Sequence, residues 1–296
     1  MFGFKTTKSK IMFRTNVRVL ILLASIILSV FFAGCKDTNN AKTDKDATNI
    51  IFLHHSTGHV IWKGQGKGIS GWFGKNETLP AWFNEYNETN GTNFQIAEQN
   101  FPKAEPYGWN NYPYDYYNIW VQNAGNESYK DEPTLEMLTK DYDVIIFKHC
   151  FPVGNIQEDT GNPDPASPEK RLENYKAQYE ALKEKINAFP ETKFVLWTAA
   201  AHEKSNATEA EAMRTKEFVH WVINNWDNPD DNLYLWDFYS LETEGELYLK
   251  DEYVAKAGDS HPSSAFGKRV APLLAARIVD VIETNGTATN LKGEPK

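Results

Sequence analysis

Asn49-Ile50-Ile51-Phe52-Leu53-His54-His55-Ser56-Thr57-Gly58-His59 decides the fold. Four consecutive apolar residues, three of them β-branched or aromatic, read as a short buried strand of a parallel sheet. A polar run with serine, glycine and three histidines follows at once. In an open α/β sheet the loop leaving the carboxyl end of a strand is where ligands and chemistry collect. Ser56 therefore stands where its hydroxyl can face a substrate. The bland alternative is a capping residue, with Ser56 or Thr57 accepting from the first free amides of a following helix.

Outward from this strand the chain alternates. The spacing predicts a helix from Thr78-Leu79-Pro80-Ala81 to Asn90-Gly91, a strand at Phe94–Ala97, a short helix over 133–140 and a strand at Tyr142–Phe147. Helices over 168–187 and 208–225 alternate with strands at Lys193–Thr198 and Asn232–Asp237, and a closing helix covers 263–283. Strands alternating with helices at this spacing argue for a three-layer α/β/α sandwich with a central, mostly parallel sheet, of flavodoxin-like type. The domain is read as residues 49–285, with 286–296 a disordered tail. Phe101–Trp120 mixes tyrosine, tryptophan, proline and asparagine without helical or strand period. It reads as an ordered loop, and its aromatic faces with polar edges, Trp109 among them, suit a sugar. The glycine-rich stretch Lys63–Lys75 lacks the residue order of a phosphate-binding loop.

The first 34 residues stand apart. Lys5, Lys8, Lys10, Arg14 and Arg18 precede a nearly unbroken apolar run from Val19 to Phe32, ending in Phe32-Ala33-Gly34-Cys35. This is a secretory signal whose small-small-Cys end resembles the lipobox of bacterial lipoproteins, so Cys35 is the expected lipidated residue. Residues 35–48, polar and aperiodic, read as a flexible tether. The expected address is extracytoplasmic, on a Gram-negative membrane, periplasm-facing or at the cell surface, held by the lipid. Removing five positive residues takes the net charge from −9 to −14, which argues against nucleic acid as a partner. With Cys35 lipidated, Cys150 is the one thiol left, and it reads as a buried small hydrophobe.

Near the far end stands Gly258-Asp259-Ser260-His261-Pro262-Ser263. A carboxylate can fix an imidazole tautomer, and the imidazole can take the proton of a hydroxyl. Ser263 can cap the last helix unaided, which leaves Asp-x-His-Pro without a structural reason. A zinc site drawn from His54, His55, His59, Asp259 and His261 is the weaker reading, because adjacent His54 and His55 point apart on a strand and no His-Glu-x-x-His helix exists. No metal or cofactor is expected.

With serine after the first strand, α/β alternation and Asp-x-His before the terminal helix, the sequence resembles the SGNH (GDSL-like) hydrolases, a family of α/β/α esterases and lipases. The family's Gly-Asp-Ser is His54-His55-Ser56 here, and its Asp-x-x-His is one residue shorter, the register found in related alginate acetyltransferases. The resemblance implies Ser56 as nucleophile, His261 as base and Asp259 as its orienting partner. The family's glycine and asparagine oxyanion motifs are not present in clean form, so the Ser56 amide is the first donor expected. Asn155, Asn100, His55 and, from the aromatic stretch, Trp109 are further oxyanion or substrate candidates. The resemblance implies an esterase acting on an O-acylated carbohydrate or other small ester. An O-acyltransferase with the same triad, or a glycan-binding lipoprotein without turnover, remains open, as does the oligomeric state.

Overall fold

The computed structural model describes residues 47–64, 78–108 and 111–296. The signal segment, Cys35, nearly all of the tether, and Trp109 lie outside the described residues. Five parallel strands form one sheet: β1 (Thr48–His54), β2 (Phe94–Asn100), β3 (Val144–Phe147), β4 (Lys193–Trp197) and β5 (Leu233–Trp236), in the order β2-β1-β3-β4-β5. The chain leaves β1 toward β2 and then crosses back to β3 on the other side. The carboxyl ends of β1 and β3 thus flank the crevice where an open α/β sheet receives ligands.

Strand alternation divides the core into two layers. Ile51, Leu53, Ile145, Phe147, Phe194, Leu196 and Leu235 face one cluster, which includes Trp120, Tyr175, Tyr179 and Trp226. Ile50, Phe52, Ile146, Val195, Trp197 and Trp236 face the other, with Ile61, Phe83, Phe266 and Ile278. The second face is covered by α1 (Ser56–Lys63), α2 (Leu79–Asn90) and the long closing helix α8 (Ser264–Thr284). The first is covered by α3 (Pro113–Tyr116) with the π-helical turn Tyr117–Gln122, by α5 (Leu172–Asn187) and by α6 (Glu209–Trp221) with a second π-turn over Val222–Trp226. Short α4 (Leu135–Asp141) and α7 (Phe238–Thr243) complete the set.

Helix boundaries follow capping chemistry. Thr78 Oγ1 accepts from Ala81 N, Thr208 and Glu211 form a capping box, and Ser263 Oγ accepts from Phe266 N at 3.2 Å. Gly267 gives α8 its closest approach to α1, since a Cβ there would stand 2.8 Å from the Val60 carbonyl oxygen. The helix that Ser56 opens and the helix that follows His261 are therefore packed backbone to side.

Two expectations are corrected. The stretch 101–120 is not all loop: Pro113 at the first helical position and the Asp115 carboxylate, accepting from Tyr112 N, start a helix that runs to Gln122. Tyr116, Ile119 and Trp120 carry its helical period, masked in the sequence by the tyrosines between them. Residues 286–296 are not a disordered tail. Asp237 N donates to Leu291 O at 2.7 Å, Trp236 Nε1 to Lys292 O at 3.0 Å, and Thr289 bridges Pro295. Asp280, buried in α8, anchors this return through the amides of Ala288 and Thr289 at 2.8 and 2.9 Å.

Candidate active site

The site is built at the β1/β3 crevice. β1 ends in His54, fully buried, whose Nε2 contacts Glu98 Oε2 at 2.9 Å while its ring lies 4.2 Å from that of Phe52. Burial, then the nearby Lys148 ammonium, lowers its pKa against the pull of Glu98. Gly58 is required directly above it, because a Cβ there would stand 2.5 Å from His54 Cβ. His55 is extended, and its Nε2 hydrogen-bonds the Pro102 carbonyl, so it ties the exit of β1 to the exit of β2. Its pKa is pushed down to about 4 by burial, which keeps the ring neutral.

Ser56 is the first residue of α1 and is exposed. It is not the cap: that place belongs to His55, whose side chain makes no capping bond. Ser56 thus stands in the first turn of α1, whose opening amides have no partner within the helix itself. Ser56 Oγ stands 3.7 Å from Cys150 Sγ, so the residues leaving β1 and β3 meet across the crevice.

Asp259 and His261 form the second half. Asp259 Oδ1 accepts from His261 N at 3.0 Å and from Nδ1 at 2.6 Å. These two bonds hold the Asp259 carboxyl below its usual pKa range. With Nδ1–H given to the carboxylate, Nε2 is the basic nitrogen. The turn is pinned from behind. The hydroxyl of Ser260, buried between the two, accepts from Glu203 N at 3.1 Å and Asn206 Nδ2 at 3.0 Å, and contacts His202 Nδ1 at 3.2 Å. Ala255 N donates to His261 O at 2.9 Å and closes the loop.

Phe151 joins the halves. It follows Cys150, and its ring packs edge-on against His261 with centroids 4.9 Å apart and against His202 at 5.3 Å. Ser56 and His261 therefore flank the two-residue step Cys150–Phe151. Among the described residues no hydrogen bond joins them directly; Ser56 Oγ contacts Cys150, and His261 Nδ1 contacts Asp259.

The side-chain donors expected for the oxyanion lie where the chain leaves β2 and β3. Asn155 ends the 3₁₀ turn Phe151–Gly154, and Asn100 ends β2 opposite His54 in register. Both stand at the carboxyl edge, but neither contacts the Ser56 hydroxyl. Two residues passed over in the sequence also stand at the centre. Asn111, fully buried with φ of 53°, donates Nδ2 to Phe101 O at 2.9 Å and accepts Cys150 N at 2.6 Å, locking the β2 and β3 exits together. The Asn110-Asn111 pair after a proline-aromatic run was its only trace, since asparagine tolerates left-handed backbone. Lys148 is buried behind the thiol. Its Nζ donates to Cys150 Sγ at 3.1 Å and lies 5.4 Å from the Trp197 ring centroid. Burial lowers its pKa. As for a metal, His54 and His59 share Glu98 while Asp259 holds His261, and among the described residues no three His, Cys, Asp or Glu side chains are grouped to hold an ion.

No family model and no curated protein matches the chain. Among solved structures it is similar to a family two carbohydrate esterase from Cellvibrio japonicus, with 12% identity and a TM-score of 0.39 over 80% of this chain and 62% of that one. It is also similar to a carbohydrate esterase whose active site is described as displaying divergent catalytic and non-catalytic binding functions, with 12% identity and a TM-score of 0.35 over 79% of this chain and 65% of that one. The chain thus spans less than two thirds of the length of either.

Proposed function

We propose that this chain is a serine esterase that removes an acyl group from an O-acylated carbohydrate through an acyl-enzyme. One observation carries the reading: an Asp259–His261 pair at 2.6 Å shares the β1/β3 edge with an exposed serine that opens a helix. His261 Nε2 takes the Ser56 proton as Oγ bonds to the ester carbonyl carbon, and Asp259 stabilises the imidazolium. The oxyanion so formed is met by the first-turn amides of α1. As the C–O bond breaks, Nε2 returns the proton to the departing sugar oxygen. Water, deprotonated by the same nitrogen, then releases the carboxylate and restores Ser56.

The reaction requires Ser56 Oγ and His261 Nε2 to come within hydrogen-bonding reach, a bond that in many enzymes tightens only with substrate bound. The test is acetate release from p-nitrophenyl acetate and acetylated glycans by wild type and Ser56→Ala. A loss on the order of 10⁴-fold or more is expected. Equal rates end the proposal. The address is proposed with it: Cys35 carries the lipid and the catalytic domain works outside the cytoplasm. Cys35→Ser should abolish labelling by a palmitate analogue, and unchanged labelling refutes that part alone.

A further inference from the structure

The loop after β2 and the α3 segment leave an open cleft of about 440 Å³ between Tyr107, Tyr112, Tyr114, Asp115, Asn118 and Tyr129. Its walls are two tyrosine pairs. Tyr107 and Tyr129 meet edge-on with centroids 6.3 Å apart, and Tyr112 and Tyr114 lie near-parallel at 6.0 Å. The π-turn brings Asn118 to the floor, where its Nδ2 donates to the Tyr107 hydroxyl at 3.0 Å and its Oδ1 accepts from Asn123 Nδ2 at 3.0 Å. π-turns of this kind recur at binding sites.

The rim is held by strained backbone. Lys130 and Asp131 both adopt left-handed φ, 48° and 62°, in a turn closed by Tyr129 N donating to Glu132 O at 3.0 Å. Such residues persist where surrounding structure imposes them. The turn sets the Lys130 ammonium 5.7 and 5.6 Å from the Tyr107 and Tyr129 centroids.

This lining selects a chemistry. Tyrosine hydroxyls and ring edges set among amides suit a ligand rich in hydroxyl groups. An apolar ligand would strand the polar groups that line it. Asp115 and Lys130 both line the cleft, one acidic side chain and one basic. The cleft also shares a scaffold with the serine. Tyr112 follows Asn111, which holds the Cys150 amide, and Lys170 lies 5.0 Å from the Tyr112 centroid while donating to Pro152 O at 2.9 Å.

We propose that this tyrosine cleft is a saccharide subsite that holds the glycan chain whose ester is presented to Ser56, an assignment that takes its purpose from the esterase reading. The experiment is titration calorimetry of the Ser56→Ala protein with xylohexaose, cellohexaose and mannohexaose. At least one binds in the millimolar range or tighter. Adding Tyr114→Ala or Tyr129→Ala, two half-exposed positions, weakens that binding about tenfold or more with the melting temperature unmoved, and Tyr114→Phe restores it. Absence of binding by all three hexaoses, or full binding by both alanine variants, overturns the assignment. Because Ser56→Ala cannot turn over, a wild type that binds but releases no acetate refutes the catalytic reading and leaves the cleft standing.

Discussion

Replacing Asp280 by alanine tests whether the last eleven residues are part of the fold. Its carboxylate is buried and accepts from Arg277 Nη1 at 2.9 Å, Ala288 N at 2.8 Å, Thr289 N at 2.9 Å and Thr289 Oγ1 at 2.5 Å, and also from Thr284 Oγ1. Burial alone would raise its pKa, but the hydrogen bonds from Thr284, Thr289 and the two amides outweigh it and hold it at about 2. Against an ordinary value of 3.8, that depression is worth about 2–3 kcal/mol of stability. The contribution is present above the unfolded pKa and is lost as pH falls through about 2.

Alanine removes more than the charge. It leaves the Arg277 guanidinium, also buried, without its carboxylate, and breaking a buried pair in this way costs about 3–5 kcal/mol. For a domain of this size that is a fall in melting temperature of about 6–20 °C at neutral pH. Thermal unfolding followed by circular dichroism reads it directly. In parallel, the wild type loses stability between about pH 4 and pH 2 by an amount that Asp280→Ala does not show. A neutral-pH shift below about 2 °C would mean that the return of residues 286–296 is not held by Asp280, and the packing argument would fall.

Asp259→Asn should leave the turn folded but disturb the His261 tautomer, lowering kcat on the order of 10⁴-fold. Steady-state kinetics on p-nitrophenyl acetate decide it, and a loss under tenfold removes Asp259 from the catalytic group. Gly58→Ala forces a methyl against His54 and lifts the start of α1, which costs about 1–3 kcal/mol and moves Ser56. Unfolding in urea should show the loss together with reduced turnover, whereas wild-type stability would contradict the close approach.

The sheet was legible because its strands are local events. Ile50–Leu53 and Val144–Phe147 are unbroken apolar runs, and only a strand buried on both faces needs four such residues in a row. Helix ends at Thr78, Thr208 and Ser263 were legible too, since a cap and its amide are three residues apart. The 113–122 helix was obscured because tyrosine and asparagine on its cleft face broke the apolar period. The placement of Asp259 beside His261 could be anticipated from spacing alone, being a contact within two residues.

What the sequence determined by itself was the alternation, the strand order's raw material and the two polar motifs that leave strand and precede helix. Tertiary structure alone decided that Cys150 stands against Ser56, that Asn111 and Lys148 lie behind it, and that tyrosines from three separate segments wall one cleft. The reason is physical: these contacts join segments tens to a hundred residues apart. Sequence spacing carries no distance information once the chain has crossed the sheet, and only packing of the two helical layers brings such side chains together.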